Sequence, residues 1–208
     1  MKFEELVQQR FSLRKYGKEP VPAEALEKCL EAARVAPSAC NSQPWNFVVV
    51  GDPERREALA KLTMPPGGVM NGFVRQAPVL VAIVAERPNL SAQIGSVLKN
   101  KPFYLIDIGI AAEHFCLQAT ELGLGTCMIG WFNESGVRKL LDIPRVRRPV
   151  LLITLGYPPE ETLEEVAARR EKRRKTLSEI AGRERYGTPW ESERESEREP
   201  GRELEPER

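Results

Sequence analysis

The sequence is poor in the side chains from which metal sites and most hydrolytic active sites are built. Its 208 residues include one histidine and four cysteines, and no two cysteines form a CxxC pair. Metal sites and disulfide frameworks need clusters of such residues, so we expect neither. GxSxG, HExxH, Walker-type GxxxxGK and GxGxxG elements do not occur either. We therefore predict no catalytic set of side chains, and such a protein can borrow its chemistry from an organic cofactor.

Charge and hydropathy argue against two further classes of partner. Lys and Arg number 31 against 30 Asp and Glu, so the net charge is +1 and gives no global field for nucleic acid or an acidic membrane. No uninterrupted apolar stretch reaches about 18 residues, and "MKFEELVQQR" lacks the apolar core of a signal peptide. We expect a cytoplasmic protein with neither partner. Any anion that it binds must be held by a local group of cations.

Helical and strand patterns alternate along most of the chain. Helices are predicted from "PAEALEKCLEAARVAPS", "PERREALAKL" and "NESGVRKLLDIP", and strands from "NFVVVGDPE", "APVLVAIVAE", "GTCMIGWF" and "RRPVLLITLGYP". This alternation predicts a layered α/β or α+β domain over residues 1–182. Residues 183–208 are rich in Glu and Arg and predict a charged tail. The tail is either disordered or lies on a partner subunit, with Tyr186 and Trp190 as anchors.

The stretch "FYLIDIGIAAEHFCLQATELGLG" predicts a long and largely apolar helix. Its polar positions form one narrow stripe: Asp107, His114, Gln118 and Glu121. A helix that is apolar on most of its surface must be covered on most of it. The favoured interpretation is a helix shared between its own sheet and a dimer interface, and the alternative is a helix buried within its own chain. His114 is interpreted as a satisfied interface histidine rather than a catalytic one.

A cationic alternation stands near the start, in "RFSLRKYGKEP". In an extended segment Arg10, Ser12 and Arg14 project to one side, while Phe11 and Leu13 point into the core. Two guanidinium forks and a hydroxyl suit a phosphate monoester, which offers bidentate acceptors and about two negative charges. Taken alone, the segment favours interpretation as solvated surface charge over a binding site.

Three other segments offer candidate contacts to a ligand. In "APSACNSQPWNF", amide and hydroxyl groups fixed between two prolines could bind the polar edge of a flat heterocycle, with ordinary turn chemistry as the alternative. These groups belong to Ser38, Asn41, Ser42 and Gln43. In "CMIGWF", Gly130 would let the backbone approach a flat ligand, with a strand-end bulge as the alternative. In "EKRRKTLSEI", Lys172 and Arg174 alternate again and could complete a phosphate pocket.

Together these segments resemble the FMN-dependent nitroreductase family. "RFSLRKY", "APSACNSQPWNFVVV", "DIGIAAEHFCLQATELGLGTCMIGWF" and "LGYP…KRRKTL" match it in order and spacing over roughly residues 3–180. The combination of RxSxR with PSxxNSQPW is the specific part. The resemblance implies an α+β fold, a three-layer α/β/α sandwich, in an intertwined homodimer with FMN tightly bound at the subunit interface.

The resemblance also implies a role for each candidate residue. The FMN phosphate would be bound by Arg10, Ser12 and Arg14, helped by Lys172 and Arg174. The isoalloxazine would be lined, from the other subunit, by Pro37, Ser38, Asn41 and Gln43. The backbone of Ile129, Gly130 and Trp131 would face the flavin, with an N–H near Gly130 donating to N5. Asn71 or Arg75 would reach the pyrimidine edge.

The implied activity is that of an NAD(P)H oxidoreductase. In a ping-pong cycle NAD(P)H delivers hydride to flavin N5, and a nitroaromatic, a quinone or a related small-molecule acceptor then takes the electrons. Three alternatives stay open: a specialised flavin enzyme of the same fold (dehydrogenase, dehalogenase or flavin-modifying enzyme), a non-enzymatic flavin-binding protein, and a cofactor-free interaction protein. The segment "RPNLSAQIGSVLKNKPFY" is short compared with larger family members, so their acceptor range does not carry over. Cys40 is interpreted as a small packing residue rather than a reactive thiol.

Overall fold

The structure, a computed structural model, describes residues 1–64, 70–92, 98, 100–159 and 174–190. The chain divides into two compact units, Met1–Leu163 and Glu164–Arg208. The predicted border at residue 182 lies inside the second unit and stays a prediction. The sheet and the long helix both belong to the first unit.

A four-stranded sheet forms the centre of the first unit. Its strands are β1 (Trp45–Val50), β2 (Val79–Ala85), β3 (Gly125–Ile129) and β4 (Arg148–Gly156). Their order is β1-β2-β4-β3, and all neighbouring strands are antiparallel. Three of the four strands lie within the segments from which the sequence predicts them, and β1 begins one residue before its segment.

Helices cover both faces of this sheet. They are α1 (Phe3–Gln9), α2 (Ala23–Arg34), α3 (Pro53–Lys61), α4 (Phe103–Glu121) and α5 (Glu134–Leu140), with short 3₁₀ turns at Ala39–Asn41 and Gly72–Gln76. Side-chain caps start two of them: Asp52 accepts from the Arg55 N–H, and Asn133 accepts from the Gly136 N–H, both at 2.9 Å. The sequence patterns described above do not predict α1.

The apolar run of β2 is buried on both sides because its side chains alternate between two cores. Leu80, Ala82 and Val84 pack in a cluster with residues of α3 and α5. Val79, Val81 and Ile83 pack in a second cluster with residues of α2 and α4. An antiparallel strand of this kind is apolar throughout because helices, not water, cover each face. The predicted α+β, three-layer α/β/α sandwich is therefore confirmed.

The first two positions of the polar stripe predicted on α4 lie against other parts of the chain, whereas Glu121 at its end is exposed. Asp107 is only 5% exposed, and His114 Nδ1 lies 3.3 Å from the carbonyl oxygen of Ala32 on α2. The exposed positions at the start of the helix are instead apolar, Leu105 and Ile106. The reason is packing: α2 and the sheet cover the face that carries Asp107 and His114, which leaves apolar side chains on the open face. Within the described residues no helix is long and apolar enough to cross a membrane.

The described part of the second unit, residues 174–190, contains α6 (Leu177–Ile180) and a bridge between Gly182 and Pro189. At the start of α6 the Thr176 N–H donates to Glu179 Oε2 at 2.7 Å. A cleft of about 560 Å³ lies within this segment, lined by residues 178–182 and 184–189. Tyr186 is fully exposed and Trp190 is also exposed, so their role as anchors stays a prediction. Residues 191–208 lie outside the described residues.

Gly125 in β3 and Gly130, which directly follows β3, allow a paired test of the packing against this strand. A methyl group at Gly125 would lie 2.9 Å from the Leu13 Cβ, and Leu13 is buried and cannot move aside. We expect Gly125→Ala to lower the free energy of unfolding by about 1–3 kcal/mol. Gly130→Ala is the control, since nothing lies within 4 Å of its Cβ position. Equal stability of the two variants in urea denaturation would contradict this account.

Candidate active site

The segment that carries Arg10, Ser12 and Arg14 lies along the free edge of β3. The Arg10 N–H closes α1 on the Leu6 carbonyl at 3.0 Å, and the chain then becomes extended. The Leu13 N–H donates to the Thr126 carbonyl at 2.8 Å, and Ser12 forms a parallel bridge with Thr126. Leu13 is buried, whereas Ser12 and Arg14 are exposed. The alternation expected of an extended segment is therefore present.

A buried tyrosine fixes the end of this segment. The Tyr16 hydroxyl bonds to the Leu13 carbonyl at 2.9 Å and to the Thr154 hydroxyl of β4. Thr154 Oγ1 in turn donates to the Cys127 carbonyl at 3.2 Å. Burial raises the pKa of Tyr16 far above its usual value, so the phenol stays neutral and keeps these bonds. The segment is held by backbone and side-chain bonds rather than by its charges.

The two arginines of the segment have different partners. Arg10 Nε lies 3.1 Å from Glu113 Oε1 on α4. Burial raises the pKa of the Glu113 carboxyl, although the Arg10 charge acts in the opposite direction. Arg14 forms no salt bridge with a residue in the described part of the chain. Its charge is therefore available to an anion.

The loop from Ala36 to Pro44 carries unusual backbone strain. Cys40, Asn41 and Gln43 have φ values of 52°, 49° and 46°, in the left-handed region that L side chains seldom adopt. Each such residue costs of order 1–3 kcal/mol, and residues of this kind cluster at functional sites. Cys40 is exposed, so the interpretation of it as a packing residue is wrong for the single chain. The loop conformation must be imposed by its surroundings.

Hydrogen bonds from three places impose that conformation. Within the loop, Ser38 Oγ accepts from the Gln43 N–H at 2.9 Å. From α4, the buried Asp107 Oδ1 accepts from the Ala39 N–H at 3.1 Å. From the chain after β2, the Asn89 amide donates to the Cys40 carbonyl at 2.8 Å, and the Asn89 N–H donates to Ser42 Oγ at 2.8 Å.

Asp107 and Asn89 are the site residues that sequence reasoning misses. A carboxylate within an apolar helix was a signal, because a buried charge needs a specific partner. The signal at Asn89 is its residue type, since asparagine is favoured as an N-cap. In the structure it precedes a helical turn, and its Oδ1 accepts from the Ala92 N–H at 3.0 Å. Neither signal could say that the partner would be a loop some 50 to 70 residues away in the sequence.

The polar side chains of the loop point outward. Asn41 and Gln43 are exposed, and Gln43 Nε2 donates to Asn41 Oδ1 at 3.0 Å. Pro37 is also exposed, whereas Ser38 is half-buried through its bond inside the loop. The loop thus presents an ordered amide surface.

The end of β3 leaves open space beside its backbone. Ile129 is buried, and Gly130 is exposed, with no atom of the described residues within 4 Å of the position that a Cβ would take. Gly130 is outside the left-handed region as well, so neither the fold nor the backbone requires glycine here. Trp131 follows, with 71% of its surface exposed. The segment from Arg10 runs parallel to β3, so Arg14 lies toward this open end.

The remaining predicted site residues are Asn71, Lys172 and Arg174. Asn71 adopts a left-handed φ of 62° before a 3₁₀ turn, and its amide donates to the Thr63 carbonyl at 3.0 Å. The side-chain amide of Asn71 is therefore engaged in a hydrogen bond within the chain. Lys172 lies outside the described residues, and Arg174 is an exposed residue of the second unit. The second cationic pair stays a prediction.

The bond from Asp107 generates a test of how the loop is held. Asp107→Leu removes the acceptor of the Ala39 N–H, so we expect faster hydrogen exchange at that amide and a loss of about 1–3 kcal/mol in the free energy of unfolding. Asp107→Asn keeps an oxygen acceptor in the same place and is the matched control, with a smaller effect on both. Unchanged protection of the Ala39 amide in Asp107→Leu would contradict this assignment.

Comparison with known proteins agrees with this geometry. The Nitroreductase family matches residues 7–65 and 67–157, which are most of the first unit. An NADH dehydrogenase from Thermus thermophilus is 30% identical over an alignment of 178 positions that covers 73% of this chain and 84% of that protein. An FMN reductase (NAD(P)H) from Bacillus subtilis is 29% identical over an alignment of 163 positions that covers 73% of this chain and 64% of that protein.

A solved structure shares the fold. The crystal structure of a nitroreductase family protein from Clostridium novyi NT has a TM-score of 0.69 and 30% sequence identity, and covers 91% of this chain and 97% of that chain. The similarity thus extends through the sheet, α4 and the segments that border them. On this similarity in sequence and fold the chain belongs to the Nitroreductase family and is an FMN-dependent oxidoreductase.

Proposed function

We propose that the chain binds FMN along the edge of β3 and passes electrons from NAD(P)H to a nitroaromatic, a quinone or a related acceptor. In this proposal Arg10, Ser12 and Arg14 bind the phosphate, and the backbone of Ile129–Trp131 faces the ring. The observation that carries it is a fixed edge segment with an exposed Arg14 that leads to open space at Gly130. Cofactor chemistry also agrees with the lack of a catalytic set of side chains.

The phosphate end suits a dianion. Two guanidinium groups and a hydroxyl project from one side of a segment that the Thr126 and Tyr16 bonds already hold in place. Because the segment is ordered before binding, little conformational entropy is lost when the phosphate arrives. Charged hydrogen bonds of the guanidinium groups then contribute about 1.5–3 kcal/mol each.

The ring end suits a flat group. At Gly130 a ligand can lie against the backbone without meeting a side chain, and the exposed Trp131 borders the same space. Hydride acceptance from NAD(P)H and electron delivery to the acceptor are the chemistry that flavin supplies when bound. The residues of this chain then have to bind, orient and shield the ring. The single histidine, His114, lies against Ala32 on α2 and takes no part.

The proposal includes a homodimer with the site at the subunit interface. Leu105 and Ile106 of α4 and Phe3 and Val7 of α1 are exposed apolar side chains in the single chain. Contact with a second copy would remove them from water. The outward amide surface of Asn41 and Gln43 would then face the flavin of the partner subunit.

Arg14 provides the direct test of the phosphate contact. We expect Arg14→Ala to weaken FMN binding about 10- to 100-fold, because one charged hydrogen bond contributes about 1.5–3 kcal/mol. Arg55→Ala is the matched control, since it removes the same charge from an exposed position on α3. Dissociation constants from quenching of flavin fluorescence measure both. An unchanged constant in Arg14→Ala would remove this residue from the site.

Turnover tests the activity. The purified protein is expected to show the visible absorption of flavin and to oxidise NADH or NADPH only when a nitroaromatic or quinone is added. A yellow protein without acceptor-dependent oxidation would instead be a flavin-binding protein. A colourless protein without affinity for FMN would overturn the proposal in favour of an interaction protein. Slow oxidation of NAD(P)H with one narrow class of acceptor would point to a specialised enzyme of the same fold.

A further inference from the structure

Glu113 stands beside the proposed phosphate site without being part of it. It lies on α4, and its Oε1 is 3.1 Å from Arg10 Nε. The side chains are 22% exposed for Arg10 and 42% for Glu113, so both are partly shielded from water. A pair of this kind is less screened than one on an open surface. The contact raises the question of what Glu113 does for Arg10.

The geometry of the contact leaves the end of the guanidinium available. Glu113 occupies the Nε edge. The two Nη groups form the other edge of the fork, which is the edge suited to a bidentate phosphate contact. A long arginine side chain has about 2 kcal/mol of rotamer entropy to lose when it is held in one orientation. The carboxylate has already restricted that motion before any ligand arrives.

Both partners are mounted on ordered backbone. Glu113 lies near the middle of α4, between Ala112 and Phe115, which are fully buried. The Arg10 N–H closes α1 on Leu6, and the backbone of Leu13 is bonded to β3. The two backbone positions from which these side chains meet are therefore fixed relative to each other. A carboxylate that contacts a guanidinium from such a position can restrict its direction.

We infer that Glu113 is a positioning residue that orients Arg10 toward the FMN phosphate. This inference rests on the proposed function. Glu113 does not touch the cofactor in this account, and its negative charge by itself would repel a phosphate. Because it lies on the Nε edge, the repulsion acts over a longer distance than the contact that it directs. We expect the orienting effect to be the larger of the two.

Riboflavin separates this role from a merely structural one, since it carries the same ring without a phosphate. We expect Glu113→Ala to weaken FMN binding about 5- to 20-fold, the loss of part of one charged hydrogen bond, and to leave riboflavin binding unchanged. Glu113→Gln keeps an oxygen acceptor for Arg10 Nε, so its affinity for FMN should lie between those of Glu113→Ala and the unmodified protein. Glu121→Ala is the control, because Glu121 is the last residue of α4 and its carboxylate accepts from Gln118. This variant should bind both flavins as the unmodified protein does.

A double-mutant cycle adds a second readout. In the Arg10→Ala background, Glu113→Ala should have no further effect on FMN binding, because the residue through which it acts is gone. The inference is overturned if Glu113→Ala weakens both flavins equally, or if it tightens FMN binding. Glu113→Gln, which retains the shape of the side chain, serves the same measurement if Glu113→Ala does not fold.

The same experiment keeps the two proposals apart. If Arg10→Ala binds FMN as tightly as the unmodified protein does, the proposed phosphate site itself fails. If Arg10→Ala loses FMN but not riboflavin, and Glu113→Ala changes neither, the phosphate site stands and only the role of Glu113 fails.

Discussion

The site depends on the attachment of one short segment to the edge of β3. The bond from the Leu13 N–H to the Thr126 carbonyl fixes the register, and the buried Leu13 side chain packs where Gly125 leaves room. A shift by one residue would turn Arg10, Ser12 and Arg14 toward the core, because side chains alternate along extended backbone. Cations can converge on one small ligand only if that register holds. The Tyr16 hydroxyl, bonded to Thr154 of the neighbouring strand, closes the segment at its other end.

Helix α4 links this edge to the strained loop. Glu113 contacts Arg10, and Asp107, six residues earlier, accepts from the Ala39 N–H. Six residues of helix correspond to about 9 Å along its axis, so one rigid element fixes two segments that lie far apart in the sequence. The loop needs this support because three of its residues hold left-handed backbone that costs free energy. An ordered scaffold allows that strain to persist where an isolated loop would relax.

The layered fold and most of its elements could be predicted from local patterns. Apolar and β-branched residues indicate the four strands, of which β2 has the longest apolar run. Capping residues such as Asp52 and Asn133 indicate where helices begin. The cationic alternation and the dense amide loop were also visible, since both are sequence-local. Which face of α4 is covered could not be predicted. Its polar positions indicate one narrow polar stripe, yet Asp107 within that stripe is buried and accepts a hydrogen bond from the loop. Helical periodicity gives a face, but neighbouring elements decide which face is covered.

The sequence by itself determined the parts whose physics is local: strand and helix patterning, the spacing of the cations, and the composition of the loop. Only the tertiary structure decided which partners those parts have. The bonds of Asp107 and Asn89 to the loop and of Glu113 to Arg10 join residues between 47 and 103 positions apart, as 89 − 42, 107 − 39 and 113 − 10 give 47, 68 and 103. Such pairs arise when sheet order and helix packing bring distant segments together, and no local pattern carries that information.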